Sequence, residues 1–393
     1  MRKTIKLFSL MATLALAMVS KSFGADPAAM AATPVPTAAP TPVVSVGGMV
    51  DTYISTTFGG GAGTGSPIGN ALYNFNTAVN SYTLSLAEVN VAAKMGEGSA
   101  HVGLAYGSTT GFLGLPYGNL LQAYVEWATG NLTVDAGQFV THMGQEVIES
   151  KSNWNYSRSL LFAYAIPYFH TGFRATYAFD PKFSASGYVY NGWNTGFATD
   201  AGGGKTLGWM LTGTPDPSLT IMFNGIWGSL PSPLVYPAGV LSSATRMDLE
   251  GIIIWNATDK LSVAADYTYG TDSSPAIGFN GDVWGGLALY ARYQIQSDWA
   301  VAARGEVYQD QNSTTLPGSV QSITGGGLGS AVGGVQLMEG TLTVEHTIST
   351  NLLVRLEGRL DTVAQLTGTA PAPLIYNGKD NQVSATLGTV YSF

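Results

Sequence analysis

The sequence predicts an all-β fold: a transmembrane, antiparallel, up-and-down β-barrel of about sixteen strands, with the third external loop folded inward. Three observations predict it. The last twelve residues, Gln382 to Phe393, alternate with period two and end on an aromatic residue. Tight and long connections alternate along the chain. Charges within the strand-like segments fall on the side opposite the apolar row.

In chain order, Met1 to Gly24 reads as a cleavable export signal. Arg2, Lys3 and Lys6 precede an apolar stretch from Leu7 to Val19, and Ser22 and Gly24 supply the small residues of a cleavage site. The apolar stretch is too short to cross a bilayer as a helix, and no cysteine lies at the cut to carry a lipid. Its removal leaves 13 basic and 25 acidic residues, a formal charge of −12. No basic patch of the kind nucleic acid requires is present. The absence of cysteine excludes disulfides and thiolate metal sites. Residues 25–42 are rich in Pro, Ala and Thr and read as an extended spacer before the barrel.

The remainder, 43–393, is only sparsely charged, rich in glycine and aromatics, and has no apolar run long enough for a helical span. That combination fits many short strands and turns. Phe173, Ala175, Tyr177 and Phe179 alternate with Arg174, Thr176 and Ala178. Leu352, Val354, Leu356, Gly358 and Leu360 face away from Arg355, Glu357, Arg359 and Asp361. Sixteen such segments begin near residues 44, 82, 100, 120, 131, 170, 182, 205, 218, 245, 260, 284, 298, 337, 351 and 382.

The connections follow one rule. Tight links lie near Gly96-Glu97-Gly98, Thr129-Gly130, Asp180-Pro181, 214–217, 257–259, Ser297 and Ser349-Thr350. Long links cover 56–81, 107–119, 140–169, 192–204, 229–244, 270–283, 309–336 and 363–381. This is the expectation for a bacterial outer-membrane barrel with tight periplasmic turns, longer external loops and both termini in the periplasm. Closure leaves no sheet edge unpaired in lipid.

Charge placement agrees. Asp51, Glu126, Arg174, Arg246, Asp248, Glu250, Asp266, Arg292, Arg304, Glu306, Glu339, Glu345, Arg355, Glu357, Arg359 and Asp361 occupy the lumen-facing phase. A lipid-facing charge at the midplane would cost about 2–4 kcal/mol. Ten of these are acidic and six basic, which predicts mild cation preference. Arg292, Arg304, Arg355 and Arg359 either set a transverse field against acids across the lumen or pair with acids on the wall. His346 shares the apolar phase and is expected at a strand end. Aromatics near segment ends, including Tyr53, Phe58, Tyr82, Phe139, Phe183, Trp193, Trp227, Trp255, Trp284, Trp299, Tyr391 and Phe393, are expected to form interfacial girdles.

Sixteen strands enclose a lumen too wide for side chains to fill. The longest connection, Val140 to Phe169, carries Glu146, Glu149, Lys151 and Arg158 beside the cluster Leu160-Leu161-Phe162. Water disfavours that cluster on an exterior loop, so the loop is expected to fold inward and those four charged residues to line a constriction. The alternative is a loop packed on the rim.

Chemistry beyond passage has little support. His101, His142, His170 and His346 are far apart and show no metal-ligand spacing. His142 or His170 beside the acids of the third loop could mimic a rim hydrolase, but a lone loop histidine is more often structural. Gly59-Gly60-Gly61, Gly202-Gly203-Gly204 and Gly325-Gly326-Gly327 lack the Lys-Ser/Thr of a phosphate cradle. No catalytic residue, metal or cofactor is assigned.

Asp135 to Tyr177 resembles the OmpL-like β-barrel porins. The resemblance is carried by Gly137-Gln138-Phe139, Gly144 with Glu146, Asn153, Asn155-Tyr156-Ser157-Arg158-Ser159, Pro167 and His170-Thr171-Gly172. The opening strand GGMVDTYIS and the aromatic close fit the same family. The resemblance implies an outer-membrane channel for small hydrophilic solutes. Outer-membrane proteins as a class imply trimerisation and a C-terminal strand read by the barrel-insertion machinery. The second reading is a surface-exposed barrel that adheres or binds partners through its long loops.

Overall fold

Sixteen segments with one apolar face can satisfy every backbone group in lipid only by closing on themselves, and they do. The computed structural model describes residues 41–393 apart from 59–69, 198–203, 230–233, 236–240, 243–244, 275–278, 314, 317–333, 367–374 and 377–378. The export signal, nearly all of the 25–42 spacer and most of the three glycine triplets lie outside the described residues.

The barrel strands are β1 (Val43–Phe58), β2 (Thr83–Met95), β3 (Gly98–Tyr106), β4 (Leu120–Thr129), β5 (Leu132–Val140), β6 (Phe169–Asp180), β7 (Phe183–Tyr190), β8 (Thr206–Asp216) and β9 (Leu219–Ser229), followed by β12 (Thr245–Asn256), β13 (Leu261–Ser274), β14 (Phe279–Gln294), β15 (Trp299–Asp310), β16 (Val335–Ser349), β17 (Leu352–Gln365) and β18 (Asn381–Ser392). A two-stranded ribbon, β10 (Leu234–Val235) and β11 (Leu241–Ser242), interrupts the connection from β9 to β12. Every barrel strand pairs antiparallel with its sequence neighbours, and β1 pairs with β18 in the register Asp51↔Val390. The seam is tied at its end by Gly48 and Phe393, whose N–H and C=O groups exchange two hydrogen bonds of 3.0 Å. A Cβ on Gly48 would stand 2.3 Å from the Glu88 carbonyl oxygen, so the close approach there requires glycine.

The alternation read from the sequence is the alternation of faces. In β18, Gln382, Ser384 and Thr386 are buried while Val383, Leu387 and Tyr391 are exposed on the outer wall. The tight turns and both ends of the barrel chain lie at one end, here the turn end; the long connections lie at the loop end.

Two expectations are corrected. The link expected over 270–283 is mostly strand: β13 continues to Ser274 and β14 starts at Phe279, with Gly270↔Trp284 and Asp272↔Asp282 paired. Tyr53, Phe139 and Trp284 are not girdle residues but point inward and are buried at 1–2% exposure. Trp284 fits because Gly270 opposite has no side chain; a Cβ there would stand 2.1 Å from the indole ring. Phe58, Tyr82, Phe183, Trp227, Trp255, Trp299, Tyr391 and Phe393 are exposed. His346 stacks on Trp299, ring centroids 4.1 Å apart, beside the turn at Asp298.

Candidate functional site

Residues 141–168, between β5 and β6, form the third long connection, L3. It contains one 3₁₀ turn (Ser150–Ser152) and one π-helical turn (Leu161–Ala165); the rest is irregular. An irregular segment leaves N–H and C=O groups that must find partners elsewhere. L3 finds them on the inner wall of the barrel.

Carboxylates take the N–H groups. Glu250 on β12 accepts from Gly144 N–H at 2.9 Å, and Asp266 on β13 from Gln145 N–H at 3.1 Å. Glu357 on β17 accepts from Tyr156 and Ser157 N–H at 2.6 and 3.0 Å. Glu306 on β15 accepts from Leu160 and Leu161 N–H, both at 2.6 Å. Asp51 on β1 accepts from the Ser150 and Tyr156 hydroxyls, each at 2.7 Å. Guanidinium groups take the C=O groups. Arg355 donates to Ser150 and Asn153 carbonyls, Arg304 to Ser157, and Arg359 to Arg158. The loop thus crosses the lumen and binds both sides of the β1–β18 seam. The expected inward fold is what these bonds describe.

Apolar packing completes the attachment. Leu160 to Ile166 are buried, and the π-helical turn packs on β13 and β14. Trp284 Nε1–H donates to the Ala165 carbonyl at 3.2 Å. From the loop end, Phe75 and Phe112 meet Phe162 and Tyr168, with ring centroids 5.6–5.7 Å apart. Phe112 lies in a short helix, α1 (Ser108–Leu113). Asn74 Nδ2 donates to the Ala163 carbonyl at 2.7 Å and to Tyr168 Oη at 2.9 Å, so the first long connection also turns inward. Sequence reasoning missed it. Leu72, Tyr73 and Phe75 among three asparagines carried the same signal as L3, an apolar cluster in an exterior link.

The four constriction candidates separate into two pairs. Glu146 and Arg158 hold L3 together: Glu146 accepts from Ser159 N–H at 2.6 Å and Arg304 Nη1 at 2.7 Å. Arg158 donates to the carbonyls of Val147, Ile148 and Tyr156, with its guanidinium over the Phe75 ring. Burial lowers the Arg158 pKa, against the pull of Asp51. Glu149 is half-buried and Lys151 exposed. Burial raises the Glu149 carboxyl above the usual carboxylate range. Both line a cavity of about 510 Å³ with Glu88, Asn90, His101 and Tyr124. A second cavity, about 440 Å³, adjoins Lys151 on its other side. Both open at the turn end.

The nine wall residues singled out from the sequence share the inner face. Asp248, Glu250, Asp266, Arg304, Glu306, Arg355, Glu357 and Arg359 are buried, and Arg292 is half-buried. The six wall arginines pair with acids: Arg174 with Asp135, Arg246 with Asp272, Arg292 and Arg355 with Glu345, Arg304 with Glu339, and Arg359 with Asp361, at 2.5–2.7 Å. Of the two arrangements left open for the arginine row, the wall pairing is the one present. Of the sixteen inward charges and the four L3 candidates, only Glu126, Glu149, Lys151, Arg174, Arg246 and Arg292 escape burial.

The histidines near L3 are packed rather than poised. His142 stacks on Tyr188 at 4.2 Å and His170 on Tyr190 at 3.9 Å. Burial pushes the His142 pKa down to about 3. Among the described residues no group of three His, Asp or Glu side chains converges to hold a metal.

A closed sixteen-strand barrel with a lipid-type outer face and a loop bound across its lumen defines a transmembrane porin-type barrel. Residues 43–393 match the family described as "Putative beta-barrel porin-2, OmpL-like", and the chain belongs to that family of outer-membrane porins. Similar solved structures include the anion-selective porin of Comamonas acidovorans, 10% identical, with a TM-score of 0.60 over 90% of this chain and all of the other. The outer-membrane channel DcaP of Acinetobacter baumannii is 12% identical, with a TM-score of 0.58 over 90% of this chain and 98% of the other. OmpT of Vibrio cholerae in its trimer form is 11% identical, with a TM-score of 0.57 over 90% of this chain and 100% of the other. At these identities the likeness is one of fold. No curated protein sequence matches the chain.

Proposed function

We propose that this barrel passes small hydrophilic solutes by passive diffusion across the outer membrane, with L3 narrowing the passage and with no catalytic step. The observation that carries the reading is the bonding of L3 to the inner wall, with cavities of about 510 and 440 Å³ left beside it. Tight turns and chain termini at one end support a periplasmic turn end. The C-terminal strand, tied to Gly48 through Phe393, is the element offered to the barrel-insertion machinery, and the trimer form of V. cholerae OmpT supports a homotrimer.

Selectivity follows from the charge that water reaches. A plain count of wall charges gives the cation preference expected above. Half of those acids are buried in bonds to L3, and the six unburied groups comprise four basic and two acidic residues. Three of the four basic residues, Arg174, Arg246 and Arg292, are each paired with a wall acid, so we assign the lumen no strong preference for either ion.

Reconstitution in a planar bilayer tests both levels. Discrete conductance steps support the channel, and deletion of residues 145–160 is expected to raise the step size. An unchanged step would show that L3 does not narrow the pore. Absence of conductance would favour the partner-binding barrel instead. In a salt gradient the reversal potential gives the preferred ion, and a cation preference would return the assignment to the plain count.

A further inference from the structure

We propose that the turn-end cavity between Lys151, Arg292 and Arg355 is a binding subsite for a small organic carboxylate. The proposal rests on the channel reading and adds a specific stop along the passage.

The cavity holds about 440 Å³ and takes one side from L3, through Lys151 to Trp154, and the other from β14, β16, β17 and β18. That volume suits a solute of a few carbon atoms. Its charged lining is Lys151, Arg292, Arg355 and Glu345, three cations to one anion. The single carboxylate is divided between two guanidinium groups: Glu345 Oε1 accepts from Arg292 Nη2 at 2.7 Å, and Oε2 accepts from Arg355 Nε at 2.9 Å. Lys151 forms no ion pair within 4 Å among the described residues. The lining therefore carries an excess of two positive charges within low-dielectric walls, where attraction for an anion is stronger than on an open surface.

The three cations differ in freedom. Arg355 is committed to the Ser150 and Asn153 carbonyls as well as Glu345, so it positions L3 and adds charge from behind. Arg292 is 28% exposed at its side chain and Lys151 more so, and these two can reach a ligand. A planar guanidinium and a mobile ammonium on opposite sides suit the two oxygens of a carboxylate. Thr347, Ser349 and Asn351 offer hydroxyl and amide groups to a polar body, and Trp154 offers an apolar surface. The neighbouring cavity shares Lys151 but is lined by Glu88 and Glu149 and by no arginine, so it offers an anion less positive charge than the Arg292 side.

Succinate is the probe, with neutral succinamide as the control, on the full-length protein. Conductance block in a bilayer and tryptophan fluorescence of the detergent-solubilised protein read binding independently. Succinate is expected to bind with succinamide inert. Lys151→Gln and Arg292→Gln are each expected to weaken the apparent affinity about tenfold. Arg174→Gln, a half-buried wall arginine outside the cavity, is expected to leave it unchanged. Equal losses in all three variants would reduce the site to diffuse charge and overturn the proposal, as would equal binding of succinamide. A conducting channel that ignores succinate would also overturn it while the channel reading stands. Succinate binding seen by fluorescence in a barrel that does not conduct would uphold the site and sink the channel.

Discussion

Replacing Glu357 by alanine removes one of the clasps that hold L3 inside the barrel, and its effect can be worked from the structure. The carboxylate is 3% exposed and accepts Tyr156 N–H at 2.6 Å, Ser157 N–H at 3.0 Å and Thr343 Oγ1–H at 2.8 Å. Hydrogen bonds to a charged acceptor contribute about 1.5–3 kcal/mol each. The two backbone amides would thus lose about 3–6 kcal/mol, and water entering the vacated space recovers part, leaving about 2–4 kcal/mol. The centre of L3 opens locally, so this loss raises its opening constant about 30- to 1,000-fold. Amide hydrogen exchange in detergent micelles reads that constant directly at Tyr156 and Ser157. Glu357→Gln keeps one acceptor oxygen and is expected to raise exchange by about tenfold. Unchanged protection at 156–157 in the alanine variant would refute the clasp. A uniform loss across the β17 amides would refute it equally, because Glu357 would then be supporting the wall.

Two further outcomes follow from L3 and its surroundings. Gly388→Val is expected to displace the Tyr156 ring, since a Cβ at 388 stands 2.3 Å from Tyr156 Cδ2; the Tyr156–Asp51 bond breaks and the thermal midpoint falls. Gly305→Val, where a Cβ meets nothing within 4 Å, is the silent control, and equal midpoints for the two variants would disprove the contact. His142, with its pKa pushed down to about 3, should show no ring titration by NMR between pH 8 and 5. An unfolded histidine takes up its proton near 6.5. The native state therefore binds fewer protons below that pH, and stability falls on acidification by about 1.4 kcal/mol per pH unit from this residue. His142→Phe should flatten that decline, and an unchanged pH profile would count against the burial of the ring.

Much of the fold was legible because lipid imposes one-sided apolarity on every strand. The errors came from reading residue type without phase. Trp284, Tyr53 and Phe139 looked like girdle residues because aromatics near strand ends usually are. Yet Trp284 shares parity with Arg292, Tyr53 with Asp51 and Phe139 with Asp135, and in an uninterrupted strand that parity places them inside. Trp299 has the opposite parity to Arg304 and lies outside. The link expected over 270–283 is instead a pair of strands in which glycines allow close approach, with Gly285 at φ 144° and Gly270 leaving room for the indole.

The charges of the lumen illustrate what parity cannot supply. Phase says that a carboxylate points inward, but not which height along the axis it reaches or what crosses the lumen there. That depends on L3, whose partners lie 100 to more than 200 residues away in the chain. Of the ten inward acids, Glu339, Glu345 and Asp361 pair with arginines, while Asp51, Glu250, Asp266, Glu306 and Glu357 accept hydrogen bonds from L3. Glu126 accepts from Ser99, and nothing among the described residues accounts for Asp248. The acidic excess is therefore matched to loop donors, as an irregular segment inside a barrel requires: each N–H needs an acceptor that the segment cannot provide. Counting those acids as free lumen charge assigns them twice. Of the unburied basic residues Lys151, Arg174, Arg246 and Arg292, Lys151 on L3 is the one left without an ion pair within 4 Å among the described residues.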